Sequence, residues 1–214
     1  MKTAFTRDDA LPLARKLAAD LEAAYDTITA LDAEMGDGDL GVTCRLGMGA
    51  VLKALDGLGE ASLDAALLKA GMQFNSAGAS TYGALVATGA MRAAKFAKDN
   101  SLQAWDLPAI AEALLAAAEG IQQRGKASRG EKTLLDALWP AIEALQAAQA
   151  AGKPLAEALA DAAAAAQAGA EATKPLKSKF GRAAWLQDKT VGVQDPGATV
   201  VATAFRSVAE YAGE

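Results

Sequence analysis

Leucine, isoleucine and alanine return along this chain at intervals of three and four residues, the spacing of one face of an α-helix. Leu13, Leu17, Leu21 and Ile28 align in this way, with Asp20 and Glu22 left for solvent. No stretch sustains the alternation or the β-branched enrichment of a strand; Thr190-Val191-Gly192-Val193 comes nearest and is short. The pattern predicts helices over about 9–31, 43–55, 62–75, a stretch following 78–83, 107–120, 133–150, 154–171 and 196–211. Thr6 or Asp9 suits the first N-cap, and Pro154 and Pro196 suit helix starts. Apolar residues make up 52% of the 214 positions but aromatics only 5%, because alanine carries much of the apolar share. Faces so rich in alanine let helices approach closely. The fold expected is therefore all-α, with about eight antiparallel helices in an up-and-down barrel or bundle. One domain is expected over residues 1–214, and no internal repeat points to a solenoid.

The chain contains no histidine. That excludes a histidine general base, Ser-His-Asp and Cys-His constellations, and histidine-ligated metals. Chemistry here must use carboxylates, Arg or Lys, hydroxyls, backbone amides or a residue borrowed from another protein. With 21 Lys+Arg against 26 Asp+Glu, the net charge is −5, which argues against nucleic acid or an anionic membrane as partner. The single cysteine, Cys44, cannot form an internal disulfide. The first residues lack the apolar run of a signal peptide, and the small-apolar stretch Ala162–Ala166 is too short to span a bilayer. A cytoplasmic protein is the expectation.

Three connections carry more Gly, Asp and Ser than a turn requires. The first, Leu31-Asp32-Ala33-Glu34-Met35-Gly36-Asp37-Gly38-Asp39-Leu40-Gly41, places aspartates at i, i+5 and i+7. On an unbroken helix Asp37 would point roughly 140° away from Asp32. Gly36 and Gly38 disfavour such a helix and allow the backbone to fold the carboxylates together. Three close carboxylates repel one another without a cation, and an all-oxygen set suits Mg²⁺ or Ca²⁺. An acidic turn in water has the same composition. Gly36-x-Gly38-x-x-Gly41 also matches a dinucleotide fingerprint, but it follows a helix and its aspartates would repel a pyrophosphate. An EF-hand beginning at Asp37 fails at Gly41 and Met48.

The second connection, residues 75–83, has small and hydroxyl residues leading into a helix, suited to an anion or simply to a capped turn. The third, Gly125-Lys126-Ala127-Ser128-Arg129-Gly130-Glu131-Lys132-Thr133, imitates a P-loop. Glu131 intrudes before Lys132, however, and a helix rather than a strand precedes it. Its basic cluster suits phosphate or partner contact, or a charged helix cap. Near the C-terminus, Arg182 is a candidate anion contact, and Asp195-Pro196-Gly197 reads as a helix start beside it.

In this order and spacing the segments resemble the nucleotide-binding subunit of dihydroxyacetone kinases, the DhaL-type domain. The matching residues are Leu31-Asp32…Gly36-Asp37-Gly38-Asp39-x-Gly41, Gly78-Ala79-Ser80, Arg124-Gly125-Lys126-Ala127…Gly130-x-Lys132-Thr133…Asp136-Ala137-Leu138, Gly181-Arg182-Ala183, and Gln194-Asp195-Pro196-Gly197-Ala198. The resemblance implies an eight-helix barrel with the nucleotide, ADP or ATP, at one end. It implies that Asp32, Asp37 and Asp39 hold two Mg²⁺ ions, and are the catalytic carboxylates. Leu40, Gly41, Thr43, Ala79 and Ser80 would lie at the phosphates or sugar, Gly125 and Leu134 at the adenine, with Arg182, Asp195 and Gly197 completing the site.

It further implies a phosphoryl acceptor, dihydroxyacetone or a similar ketose such as erythrulose, held covalently by a histidine of a separate DhaK-like subunit. The missing histidine then belongs to a partner. Two phosphoryl donors are open: exchangeable ATP, or a phosphotransferase-system protein that rephosphorylates a resident nucleotide. The family's usual histidine after the second aspartate of Gly-Asp-Gly-Asp is Leu40 here. That departure keeps a second reading open, a nucleotide-bound adaptor that signals to a transcription regulator with little catalysis.

Overall fold

The structure, a computed structural model, describes residues 1–59 and 61–214. Nine α-helices occur among them: α1 (Ala10–Ala23), α2 (Tyr25–Met35), α3 (Leu40–Asp56), α4 (Leu63–Ala77), α5 (Thr81–Asp99), α6 (Leu107–Gly125), α7 (Leu135–Ala150), α8 (Leu155–Glu171) and α9 (Pro196–Gly213). A 3-10 turn, Arg7–Asp9, leads into α1, and a longer 3-10 stretch, Arg182–Thr190, precedes α9. Among the described residues no strand forms; the only pairing is an isolated bridge between Phe5 and Trp105. Among the described residues no helix is long and apolar enough to cross a membrane.

The helix expected over 9–31 is α1 and α2 together, interrupted at Ala24. The backbone there flattens to φ −89°, ψ 0°, yet the Ala24 N–H still donates to Asp20 O and the Ile28 N–H to Ala24 O. Counting this bent rod once gives eight rods. The helices pack in a circuit, α1 on α3, then α3 through α9 in succession, and α9 back on α1. The connections, short except for the one between α8 and α9, reverse the chain at each step, so the N-termini of α3, α5, α7 and α9 share one end with the C-terminus of α2.

Alanine makes the circuit tight. Ala111 and Ala118 of α6, Ala137 and Ala141 of α7, Ala158, Ala162, Ala166 and Ala170 of α8, and Ala198 of α9 are fully buried. They pack with Ile142, Leu145 and Leu159 into the larger core. A second cluster, Leu21, Ile28, Cys44, Val51 and Phe74 among others, fills the space inside α1–α4. Small side chains bring backbones close enough for dispersion contact along whole helices, at little loss of side-chain entropy. The closest crossing is α7 on α8, where a Cβ on Gly169 would collide with the Asp136 carbonyl and lie 3.1 Å from Ala137 Cα.

That crossing sets a direct test. Gly169→Ala is expected to cost about 2 kcal/mol or more through overpacking against backbone. Gly49, inside α3 with nothing within 4 Å of a Cβ, is the control: Gly49→Ala is expected to gain about 0.5–1 kcal/mol. Urea unfolding of the two variants should give opposite signs.

Candidate functional site

The acidic connection forms because α2 cannot continue. Gly36 takes an extended backbone at φ −168°, and Gly38 turns at φ +73°, a region glycine occupies without a Cβ penalty. The Leu40 N–H then donates to Asp32 Oδ2 at 3.0 Å, fastening the start of α3 to the end of α2. Asp39 stands at the N-cap of α3 with its side chain uncommitted to capping. One carboxylate oxygen each from Asp32, Asp37 and Asp39 lies within 4.8 Å of the others. Arg182, reaching in from the 3-10 stretch, forms an ion pair with Asp37, and its guanidinium is 4.0 Å from Asp39.

The carboxylates open onto a cleft of 290 Å³ at the end of the barrel. Four helix starts converge on it. Asp39 and Leu40 come from α3, and Ala79, Ser80, Tyr82 and Leu85 from the start of α5. Leu134 precedes α7, and Asp195, Pro196 and Gly197 begin α9. Ser80 Oγ accepts from Gly83 N at 3.0 Å, capping α5. Asp195 Oδ2 accepts from Ala198 N at 2.7 Å, capping α9, with Pro196 at the first helical position. Positive dipole ends thus face a cleft whose floor carries three negative charges. Phe180, Gly181 and Arg182 close the remaining side.

Ten of the sequence-predicted site residues line this cleft together: Asp32, Asp37, Asp39, Leu40, Ala79, Ser80, Leu134, Arg182, Asp195 and Gly197. Three stand behind its walls. Gly41 packs against Thr29 and the Tyr25 ring, where a Cβ has no room. Thr43 is buried one turn into α3, with its carbonyl 2.7 Å from where a Cβ on Gly78 would sit. Gly125 ends α6 and backs Leu85, which does line the cleft. Leu40 contributes its backbone N–H, while its side chain is buried in the second core cluster.

Two residues carry more of the site's framework than their sequence context suggests. Asp136 accepts from Gly130 N at 2.5 Å and from Thr133 N at 2.7 Å, folding the third connection onto the start of α7. The Thr-x-x-Asp spacing of a capping box was the available signal. Lys132, placed by sequence in a basic cluster suited to phosphate or partner contact, is instead 1% exposed. Its ammonium donates to backbone carbonyls at 2.8 Å (Thr190) and 2.9 Å (Thr173), with three further carbonyls nearby. No sequence pattern announces a buried lysine. Cys44 is buried, and burial together with Asp32 raises its thiol pKa to about 12, so it is inert.

Comparison with known proteins accords with this arrangement. The sequence profile of the DAK2 domain matches residues 34–210. The ADP-binding subunit DhaL of the PEP-dependent dihydroxyacetone kinase of Escherichia coli K12 is 30% identical over 187 residues, covering 87% of this chain and 88% of that protein. Triokinase/FMN cyclase of Rattus norvegicus is 34% identical over 184 residues, but this chain spans only 31% of it. The crystal structure of the dihydroxyacetone kinase from C. freundii in complex with AMP-PNP and Mg²⁺ superposes with a TM-score of 0.75 at 25% identity. That match covers 99% of this chain and 35% of that one. Fold and relatives define a phosphotransferase subunit of the kinase type. The chain belongs to the DAK2 domain family.

Burial also sets a pH dependence. Desolvation raises the Asp195 carboxyl pKa to about 7, with Asp136 and Asp32 adding to the rise, while the Ala198 N–H and Lys132 oppose it. A carboxyl with a raised folded pKa binds more protons folded than unfolded between about pH 4 and 7, so its contribution to stability falls as pH rises through that window. Asp195→Asn keeps the cap and removes the titration. The stability of the unsubstituted protein relative to this variant is expected to fall by on the order of 3 kcal/mol from pH 4 to pH 7, read by urea unfolding at each pH.

Proposed function

We propose that this chain, as one domain over residues 1–214, is the nucleotide-carrying subunit of a cytoplasmic ketose kinase. It binds ADP or ATP with two Mg²⁺ ions and passes a phosphoryl group to dihydroxyacetone or a similar small ketose, such as erythrulose, held on a separate DhaK-like subunit. The observation that carries this reading is the meeting of Asp32, Asp37 and Asp39 with four helix N-termini and Arg182 around a single cleft.

The donor set fits the ions. Three carboxylates with oxygens within 4.8 Å of one another, and no nitrogen or sulfur ligand, make a hard-cation site. Magnesium bound there supplies charge neutralisation for the phosphates and the transferring group. The chain's own groups do the rest. The N–H groups at Ser80 and at the start of α9 offer donors to phosphate oxygens, and Arg182 offers a planar fork for charge that develops on transfer. Leu134 and Leu85, the latter supported by Gly125, form the apolar wall for a base, and the Asp195–Gly197 turn bounds it. Phosphoryl transfer needs positioning and neutralisation more than a general base from this subunit, which agrees with a chain lacking histidine. The phosphoryl donor is either exchanged ATP or a phosphotransferase-system protein acting on bound ADP.

Asp37→Ala is expected to abolish Mg²⁺-dependent ADP binding in calorimetry while leaving the helical circular-dichroism spectrum intact. Near-wild-type affinity in the variant would overturn the reading. Turnover with a cognate DhaK-like subunit then separates a kinase subunit from a nucleotide-bound adaptor for a transcription regulator, which would bind the nucleotide without transfer.

A further inference from the structure

Residues 173–193 leave α8, cross the mouth of the cleft and return to α9. Their tip carries Ser178, Phe180, Gly181 and Arg182, and their roots meet at one side chain. We propose that Lys132 is a positioning residue of the cleft: its ammonium clamps the two roots of this segment together and so holds Arg182 against the Asp37–Asp39 carboxylates. This rests on the nucleotide-site reading above.

The acceptors come from both strands of the segment. On the outgoing side, Lys132 Nζ donates to Thr173 O at 2.9 Å and Leu176 O at 3.1 Å, with Lys174 O at 3.5 Å. On the returning side it donates to Thr190 O at 2.8 Å and Val193 O at 2.5 Å. Three N–H donors shared among five carbonyls form a small coordination shell. Other ties between the two sides are Gly192 N to Lys174 O at 2.7 Å, Ser178 N to Thr190 Oγ1 at 3.1 Å, Asp195 N to Thr173 Oγ1 at 2.8 Å, and an exposed ion pair of Lys177 with Asp188. Glu131, next to Lys132, adds an ion pair with Lys179 at 3.3 Å.

A purely apolar packing need at this position would be met by methionine, which matches the length of lysine at no desolvation penalty. A buried ammonium costs several kcal/mol unless fully hydrogen-bonded, and here all its hydrogen bonds go to loop backbone, with the Asp195 and Asp136 carboxyls adding favourable charge. Lys132 itself stands at φ +60°, a conformation that a lysine takes at a cost and that the Asp136 bonds on either side enforce. The third connection, read from sequence as suited to phosphate or partner contact or to a charged helix cap, thus lines the cleft at Lys132, Thr133 and Leu134 and also anchors the segment that crosses it.

The test compares the full chain with Lys132→Met, Lys132→Arg, Arg182→Ala and the double variant Lys132→Met/Arg182→Ala. Trypsin has sites within the segment at Lys177, Lys179, Arg182 and Lys189. In Lys132→Met their cleavage is expected to accelerate about tenfold with the helical spectrum unchanged, and Lys132→Arg, which keeps the charge, is expected to recover part of the resistance. Mg²⁺-dependent ADP affinity is expected to fall about tenfold in Lys132→Met, and the double variant to bind no more than about twofold more weakly than the weaker single variant, because both losses run through Arg182. Unchanged proteolysis in Lys132→Met, or losses that multiply in the double variant, would overturn the proposal. If Lys132→Met does not fold, Lys132→Arg carries the same comparison, with wild-type protease resistance and affinity as the overturning result. Absence of ADP binding by the unsubstituted chain defeats the nucleotide reading, and proteolysis then still decides the clamp.

Discussion

Closure of a ring of helices through small side chains is the constraint on which everything else here depends. Where Gly169 of α8 meets the backbone of Asp136 and Ala137 in α7, amid fully buried alanines of both helices, the two stand almost at van der Waals contact of their main chains. In a ring packed this tightly, with many alanines around a few large side chains such as Ile142, Leu145 and Leu159, the geometry is set by helix length and connection. Because successive rods run in opposite directions, every second connection falls at the same end. The acidic turn, the Ser80 cap, the Asp136 turn and the Asp195 cap are far apart in sequence but share one rim.

That alternation explains why the cleft is electrostatically mixed. Four helix starts bring positive dipole ends and unpaired N–H groups, while the α2–α3 connection brings three carboxylates. Neither set is content alone. Arg182 compensates the carboxylates within the structure, and Ser80 and Asp195 each satisfy one N–H of their own helix. Such a surface favours a ligand carrying both multiple negative charges and cations, and a polyphosphate with its metal ions is of that kind.

Helix interiors were readable from periodicity, and the ends were not, for local reasons. Gly120 reads as a stop after 107–120, yet α6 runs on to Gly125. Gly120 is a contact glycine, with a Cβ placed 2.5 Å from Arg92 Cγ, and the true end is the left-handed Lys126 at φ 55°. The helix expected to follow 78–83 begins inside that stretch, at Thr81, because Ser80 supplies the cap. The break at Ala24 has no marker at all, alanine being neutral toward a bend. Thr190–Val193, the nearest approach to a strand, is instead a turn whose carbonyls are taken by Lys132. For the site, the aspartates were legible because acidic residues spaced by glycine have few structural uses. Gly41, Thr43 and Gly125 were read as contacts but stand behind the lining, since a sequence block does not distinguish a residue that touches a ligand from one that lets its neighbour do so.

The lack of histidine takes its meaning from this geometry. Among the described residues at the rim, the one side chain whose pKa burial brings near neutrality is Asp195, and it is already engaged as the cap of α9. A carboxyl in that role stabilises its helix in either charge state of its surroundings only while its oxygen keeps accepting from Ala198, so it is poorly placed to shuttle protons. The Cys44 thiol is held protonated by burial. Apart from the Asp195 carboxyl, the cleft offers charges and dipoles held in place by the fold. A reaction served by such a cleft is one whose barrier lies in gathering and neutralising negative charge, and phosphoryl transfer is the common reaction that makes that demand.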